Sequence, residues 1–182
     1  RVINPGDQKS FPLFGDGAGA VLLAPGSPEQ GMLAYQLGSD GSGGDLLCRP
    51  ACGSRIPPTP EALANGLQYL TMDGRAVFKW AVRILADSAT TVMAKAKVGV
   101  GDIRWFIPHQ ANIRIIHSAS DVLGFPREVV YKNLERYGNT SGGSIPIALD
   151  ELVQDGQIHR GDLLLTSGFG AGLNWGTALW RW

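Results

Sequence analysis

Sulfur is scarce in this sequence. Two cysteines and three methionines are its whole content in 182 residues. Cys48 and Cys52, separated by RPA, could form a disulfide or half of a metal site. No second cysteine pair follows, and the three histidines lack zinc-site spacing, so two reduced thiols in a loop and no bound metal are expected. Long apolar runs are missing as well. No stretch of about 18 uncharged apolar residues exists to span a bilayer, and Asp7 and Lys9 interrupt the start before a signal-like run forms. Nor does one sign of charge dominate: 16 Lys+Arg balance 16 Asp+Glu. Zero net charge gives no support to general binding of nucleic acid or an anionic membrane. A cytoplasmic setting is the expectation.

Several motifs are also missing. None of the glycine clusters GDGAGA, GSGG and GFGAG has the GxGxxG arrangement after a strand, and none matches a phosphate-binding GxxxxGK loop. There is no GxSxG nucleophile elbow and no HExxH zinc helix.

What is present is a compact globular composition, 44% apolar and 18% charged, long enough to bury one substantial core. The charge divides unevenly, −3 over residues 1–73 and +3 over 74–182, so an anionic partner is expected on the second part. FPLFGDGAGAVLLAPG predicts an apolar element, a glycine-rich bend that permits close backbone approach, and a strand over about 18–24. A second strand is expected at 32–38, followed by a long Gly-, Pro- and Ser-rich surface excursion over 39–72. From Gly74 the apolar period becomes helical, and Val77, Ala81, Ile84, Leu85, Ser88, Val92 and Ala96 predict a helix over 75–97. A strand at 103–108, helices at 112–122 and 141–152, and strands at 163–167 and 173–181 complete the chain. This order predicts an α/β architecture with a mixed sheet packed by helices. Sites in such sheets form at the carboxyl ends of strands, which makes His109, Asn139 and GFGAG candidates for one cleft.

An imidazole can accept a proton or present an N–H to a developing oxyanion. A carboxamide is a neutral donor that does not compete for protons. Aimed at one oxygen, the two would stabilise a thioester enolate. The residues alone leave another possibility open: His109 as an ordinary strand-end residue, and Asn139 as the cap of a helix beginning at Ser141.

Six motifs in order carry a resemblance over nearly the whole chain: FGDGAGAVLL, SDGSGGDLL, MDGRAVFKWAV, WFIPHQANIRII, LERYGNTSGGSIPIALDE and GFGAGLNWGTALWRW. The chain resembles the C-terminal half of a β-ketoacyl-(acyl carrier protein) synthase III, or a related polyketide ketosynthase, of the thiolase-like superfamily. The resemblance implies a thiolase-like half-domain over 1–182, including the 39–72 loop, as part of a layered αβαβα architecture of two halves. The family's acyl-accepting cysteine belongs to the N-terminal half, which this chain is expected to lack; Cys48 and Cys52 match no catalytic position. The implied reaction is a decarboxylative Claisen condensation of an acyl thioester with a malonyl thioester, and the isolated chain is expected to be inactive.

By the same resemblance, His109 and Asn139 are the catalytic pair. Phe169 lines the floor, and Gly74, Arg75, Phe78, Ala111 and Asn112 line the pantetheine channel. Lys79 and Arg114 form a basic rim toward carrier protein or coenzyme A phosphates. Thr140 and Ser141 are expected to brace the asparagine turn. No cofactor is implied beyond phosphopantetheine-bearing substrates, on coenzyme A or acyl carrier protein, and the expected partners are the cysteine-bearing half and a second copy in a homodimer.

Two departures from the family pattern stand out. Asp121 and Val122 occupy positions where paired lysines are common, and Gly142 and Gly143 replace alanines. The second departure, with the Trp-rich end, points to a specialised enzyme. The alternatives are a non-decarboxylative condensing enzyme or acyltransferase, such as the 3-hydroxy-3-methylglutaryl-CoA synthase branch, and a non-catalytic partner that shapes a tunnel or mediates assembly.

Overall fold

The computed structural model describes residues 2–27 and 29–182. Its first departure from expectation lies at 18–24. That segment forms no strand; Val21, Leu22 and Leu23 are 63%, 95% and 81% exposed. The apolar pattern suits a strand, but a ladder needs a neighbour, and among the described residues none pairs with it. The glycines before it do make the expected close approach, described below.

The remaining elements follow in chain order. Strand β1 (Gly31–Ser39) precedes the long excursion. The excursion is not featureless: it holds a 3-10 turn (Gly41–Leu46), a two-stranded ribbon of β2 (Leu47–Cys48) and β3 (Thr71–Met72), and the one-turn helix α1 (Pro60–Ala64). Helix α2 (Gly74–Ala96) begins where the Asp73 side chain accepts the N–H groups of Arg75 and Ala76, and ends at Lys97 in the left-handed conformation. Its buried stripe runs Val77, Trp80, Ala81, Leu85, Ser88, Ala89, Val92, Met93. Strand β4 (Ile103–Pro108) matches its predicted span. Helix α3 (Ile113–Leu123) is capped by Asn112 and stopped by Gly124. The short helix α4 (Leu134–Tyr137) was not foreseen. The helix expected from Ser141 is divided into a 3-10 turn at Ser141–Gly143 and α5 (Ser144–Gln154). Strands β5 (Leu163–Gly170) and β6 (Asn174–Arg181) close the chain.

The main sheet has the order β1-β6-β5-β4. Both β6 pairings are antiparallel, and β4 and β5 run parallel. Alternation along β4 sorts its side chains into two layers. Phe106 packs with Ala89, Val92, Ile116 and Leu165 under α2 and α3, whereas Trp105 and Ile107 pack with Ala148, Leu152 and Leu164 under α5. Burial on both faces explains why IRWFIP reads as a near-continuous apolar run rather than a half-polar strand. No helix is long and apolar enough to cross a membrane among the described residues. The layering leaves the carboxyl ends of β4 and β5 side by side at the start of α5, and the polar cluster lies there.

Candidate active site

His109 is the first residue beyond β4. Its N–H donates to the Ser167 carbonyl of β5 at 2.7 Å, and its carbonyl accepts the Ala111 N–H at 2.9 Å, so the backbone is held from both sides. The ring has Nδ1 2.6 Å from Ser144 Oγ and stands edge-on to Phe169, centroids 5.5 Å apart. A cavity of about 140 Å³ opens beside it, lined by His109, Ser141, Gly142, Ser144, Ile145, Gly168 and Phe169. Burial pushes the imidazole down to about 4. A charged ring is disfavoured where water is stripped from it, so His109 is neutral at ordinary pH.

This shift has a consequence for stability. The folded pKa lies below the ordinary histidine value of 6.5, so the unfolded chain binds the extra proton first as pH falls. Stability is therefore complete above about pH 6.5 and declines toward pH 4, by about 3 kcal/mol at most. In denaturant titrations at stepped pH, the His109→Asn protein is expected to lose less stability across that window than the wild type. An identical decline in both would show that the His109 ring is not protected.

Asn139 follows α4 at Gly138, whose φ is +66°. Its backbone is clamped by the glycine-rich segment: Asn139 N–H donates to the Leu13 carbonyl at 2.8 Å, and Gly15 N–H donates to the Asn139 carbonyl at 3.0 Å. A Cβ on Gly15 would lie 1.8 Å from the Tyr137 carbonyl oxygen, so glycine alone permits the clamp. The Asn139 Oδ1 accepts the Ser141 N–H at 2.8 Å. The bond closes a local turn rather than the helix cap allowed for above, since neither the 3-10 turn nor α5 has a side-chain cap, and it is compatible with a second role: the amide Nδ2, the donor end, has no partner among the described residues. Ser141 sits at φ +52°, and Thr140 is buried. Gly143 packs so closely on the Gly17 and Ala18 backbone that a Cβ would meet Gly17 O at 2.8 Å, whereas a Cβ on Gly142 meets nothing within 4 Å. Close packing thus accounts for Gly143 and leaves Gly142 unexplained.

A buried polar scaffold ties the two loops together, and it was missed in the sequence. Gln110 is 1% exposed; its Nε2 donates to the Pro108 and Tyr131 carbonyls at 2.7 and 3.3 Å, and its Oε1 accepts the Asn133 N–H at 3.1 Å. Asn133 Nδ2 in turn donates to Glu151 on α5 at 2.7 Å. The Glu151 carboxylate also accepts from the Tyr131 and Tyr137 hydroxyls at 2.9 and 2.7 Å and pairs with Arg136 at 2.8 Å. Burial alone would raise the Glu151 carboxyl, but bonds from Asn133, Tyr137 and Tyr131 and the Arg136 charge outweigh it and hold it below its ordinary value. Burial, aided by the Glu151 bond, pushes Tyr131 up to about 12.

The other candidates fall at a second edge. Gly74 and Arg75 form the exposed first turn of α2, Lys79 is exposed one turn on, and Phe78 is half-buried. The Arg114 guanidinium lies 5.5 Å from the Phe78 ring centroid, so the residues expected at the rim and at the channel wall are neighbours. Phe78 and Phe169 pack against the same cluster around Trp80 and Leu173. Asn112 accepts the Arg114 N–H at 2.9 Å as the α3 cap, beside a half-buried Ala111. Asn139, Ala111, Asn112 and these α2 residues do not line the small cavity. Asp121 is taken up by an exposed pair with Arg127 at 2.6 Å. Cys48 and Cys52 are free thiols away from the cavity, Cys48 Sγ lying 3.4 Å from Thr71 Oγ1. A wider depression on β1, lined by Met32–Leu37 and Lys95, brings together no comparable polar cluster.

Two family models match the chain: 3-oxoacyl-(acyl-carrier-protein) synthase III over residues 1–41, and the C-terminal model of the same enzyme over 93–182. A β-ketoacyl-(acyl-carrier-protein) synthase III of Rhodopirellula baltica is 50% identical, over all of this chain and 58% of its own length. That of Symbiobacterium thermophilum is 48% identical, over 100% and 55%. The crystal structure of the 3-oxoacyl-(acyl-carrier-protein) synthase III of Aquifex aeolicus VF5 superposes with a TM-score of 0.89 at 39% identity, over the whole chain and 54% of its own. The priming β-ketosynthase of the R1128 polyketide pathway gives 0.78 at 32%, over 99% and 53%. The chain therefore spans little more than half the length of these relatives.

Proposed function

Because this chain belongs to the 3-oxoacyl-(acyl carrier protein) synthase III family, we propose that it supplies the enolate-stabilising half of a decarboxylative condensing enzyme. In this reading a cysteine thiolate of a preceding half takes an acyl group from an acyl thioester, releasing the donor's thiol. A malonyl thioester then loses CO2. The electron pair of the broken C–C bond moves into the thioester carbonyl, and the oxygen becomes an enolate. His109 and Asn139 donate hydrogen bonds to that oxygen, where negative charge grows. The enolate carbon attacks the acyl-cysteine, expels the thiolate and leaves as a β-ketoacyl thioester. Without the thiol the isolated chain does not condense.

The single observation that carries this reading is a neutral imidazole at the end of β4, its Nδ1 occupied by Ser144 and its ring on a cavity beside Phe169. Such a group stays neutral and turns its other nitrogen toward open space. Arg114 over Phe78, with Lys79 nearby on α2, supports a pantetheine entry whose basic rim steers a phosphopantetheinylated carrier or coenzyme A. The proposed setting is a cytoplasmic homodimer.

Mass spectrometry of the full-length protein after incubation with acyl thioesters tests the assignment. The acyl group is expected on a cysteine outside this chain, and Cys48→Ser and Cys52→Ser proteins are expected to load at the wild-type rate. Acylation on either residue, or its total loss in either variant, would overturn the proposal.

A further inference from the structure

Ser144 is 2% exposed and opens α5. Its hydroxyl meets two groups: His109 Nδ1 at 2.6 Å and the Gln110 backbone nitrogen at 3.3 Å. A backbone N–H can only donate, so the Gln110 bond uses one of the oxygen's lone pairs. The hydroxyl has one proton to place, and the acceptor in reach among the described residues is Nδ1. The reverse arrangement, with Nδ1–H donating to Oγ, would leave the Ser144 proton without an acceptor inside the fold, which buried hydroxyls rarely tolerate. We propose that Ser144 is a positioning residue that sets the tautomer of His109: its O–H donates to Nδ1, and the ring's single hydrogen resides on Nε2.

The tautomer decides which chemistry the ring can do. With the hydrogen on Nε2, the free edge of the imidazole is a donor and has no lone pair with which to abstract a proton. Nε2 has no hydrogen-bond partner among the described residues, and it is not among their buried unpaired polar atoms, so it reaches accessible space on a ring that lines the cavity. The low basicity of the buried ring agrees with this, because a ring that stays neutral keeps its donor and acceptor ends distinct. The geometry is held from behind. Gln110 is fixed to Pro108, Tyr131 and Asn133, so the backbone N–H that orients Ser144 Oγ cannot drift. His109 is thereby a fixed hydrogen-bond donor to oxygen rather than a general base. The value of that donor for decarboxylation rests on the condensing-enzyme reading above; the tautomer does not.

Nitrogen-15 NMR of the full-length protein carrying labelled histidine decides the matter, with the His109 signals assigned by their loss in His109→Asn. The wild type is expected to show a protonated Nε2 and an unprotonated, hydrogen-bonded Nδ1, unchanged between pH 8 and pH 5. Ser144→Ala is expected to convert this to a mixture of tautomers and to slow CO2 release from a malonyl thioester roughly 10-fold, the order of one net hydrogen bond, while acyl loading keeps its KM. Ser144→Thr, which retains the hydroxyl, is expected to recover the wild-type tautomer. A proton found on Nδ1 in the wild type overturns the proposal without recourse to any variant. So does a folded Ser144→Ala protein with an unchanged tautomer. If the wild-type tautomer is as expected but His109→Ala releases CO2 at the full rate, the tautomer assignment stands and the condensing-enzyme reading falls.

Discussion

Replacing His109 by alanine is expected to slow CO2 release from a malonyl thioester by about 10²–10³-fold, the cost of one donor to a developing oxyanion. The measurement is kcat for release of labelled CO2 by the full-length protein, with acyl loading followed separately. The two steps separate the roles. Loading does not create the malonyl-derived enolate, so it should change far less than decarboxylation. Asn139→Ala should show the same pattern for the same reason: its Oδ1 is committed to Ser141, and the proposal assigns its Nδ2 to the substrate. The double variant should fall short of the product of the two losses, because donors on one oxygen act as a unit. Equal losses in loading and decarboxylation would point to collapse of the site, and no loss at all would remove both residues from the mechanism.

The largest expected effect on stability lies at Glu151, outside the cavity. Glu151→Ala should lower the unfolding free energy by about 1–3 kcal/mol, since a buried donor left without a partner costs about that much. Asn133, 2% exposed, would lose the acceptor of its Nδ2. The half-buried Tyr131 hydroxyl would lose its acceptor as well, whereas the exposed Tyr137 hydroxyl and Arg136 can turn to water. These groups hold the segment that enters the Asn139 turn, so activity should fall along with stability. Glu151→Gln keeps the shape and one acceptor but loses the charge, and should lie between. The acid response has a definite sign: the carboxyl is held below its ordinary value of 4.5, so its contribution is present above that pH and disappears as the group protonates. Chemical denaturation at pH 7 is the check. A Glu151→Ala protein within about 0.5 kcal/mol of wild type would class this residue with ordinary surface positions.

Ion pairing elsewhere does not compete with this hub. The Arg127–Asp121 pair is short but exposed on both sides, and such pairs contribute little. The difference is burial: Asn133 is 2% exposed and Tyr131 half-buried, and the Glu151 side chain they meet is itself only 16% exposed. Its pull is also directional, since Tyr131, Asn133, Arg136 and Tyr137 all belong to the stretch between β4 and the asparagine turn.

By itself the sequence determined the elements whose signals are local. The α2 stripe, the run of β4, the place of α3 and His109 at a strand end all follow from patterns within a few residues. Motif order was enough to indicate the family. Tertiary structure alone decided the rest. Whether residues 18–24 form a strand depends on a neighbour, not on their own pattern. The Gly15 clamp joins residues 124 positions apart in sequence, counted from Gly15 to Asn139, and the Ser144 bond to His109 spans 35. Gln110 and Glu151 carry no periodic signature, because a buried polar group is justified only by the partners it meets. Short-range sterics and solvent partition are written along the chain. Satisfaction of a desolvated donor is a property of the folded neighbourhood, and it appears only when distant segments are brought together.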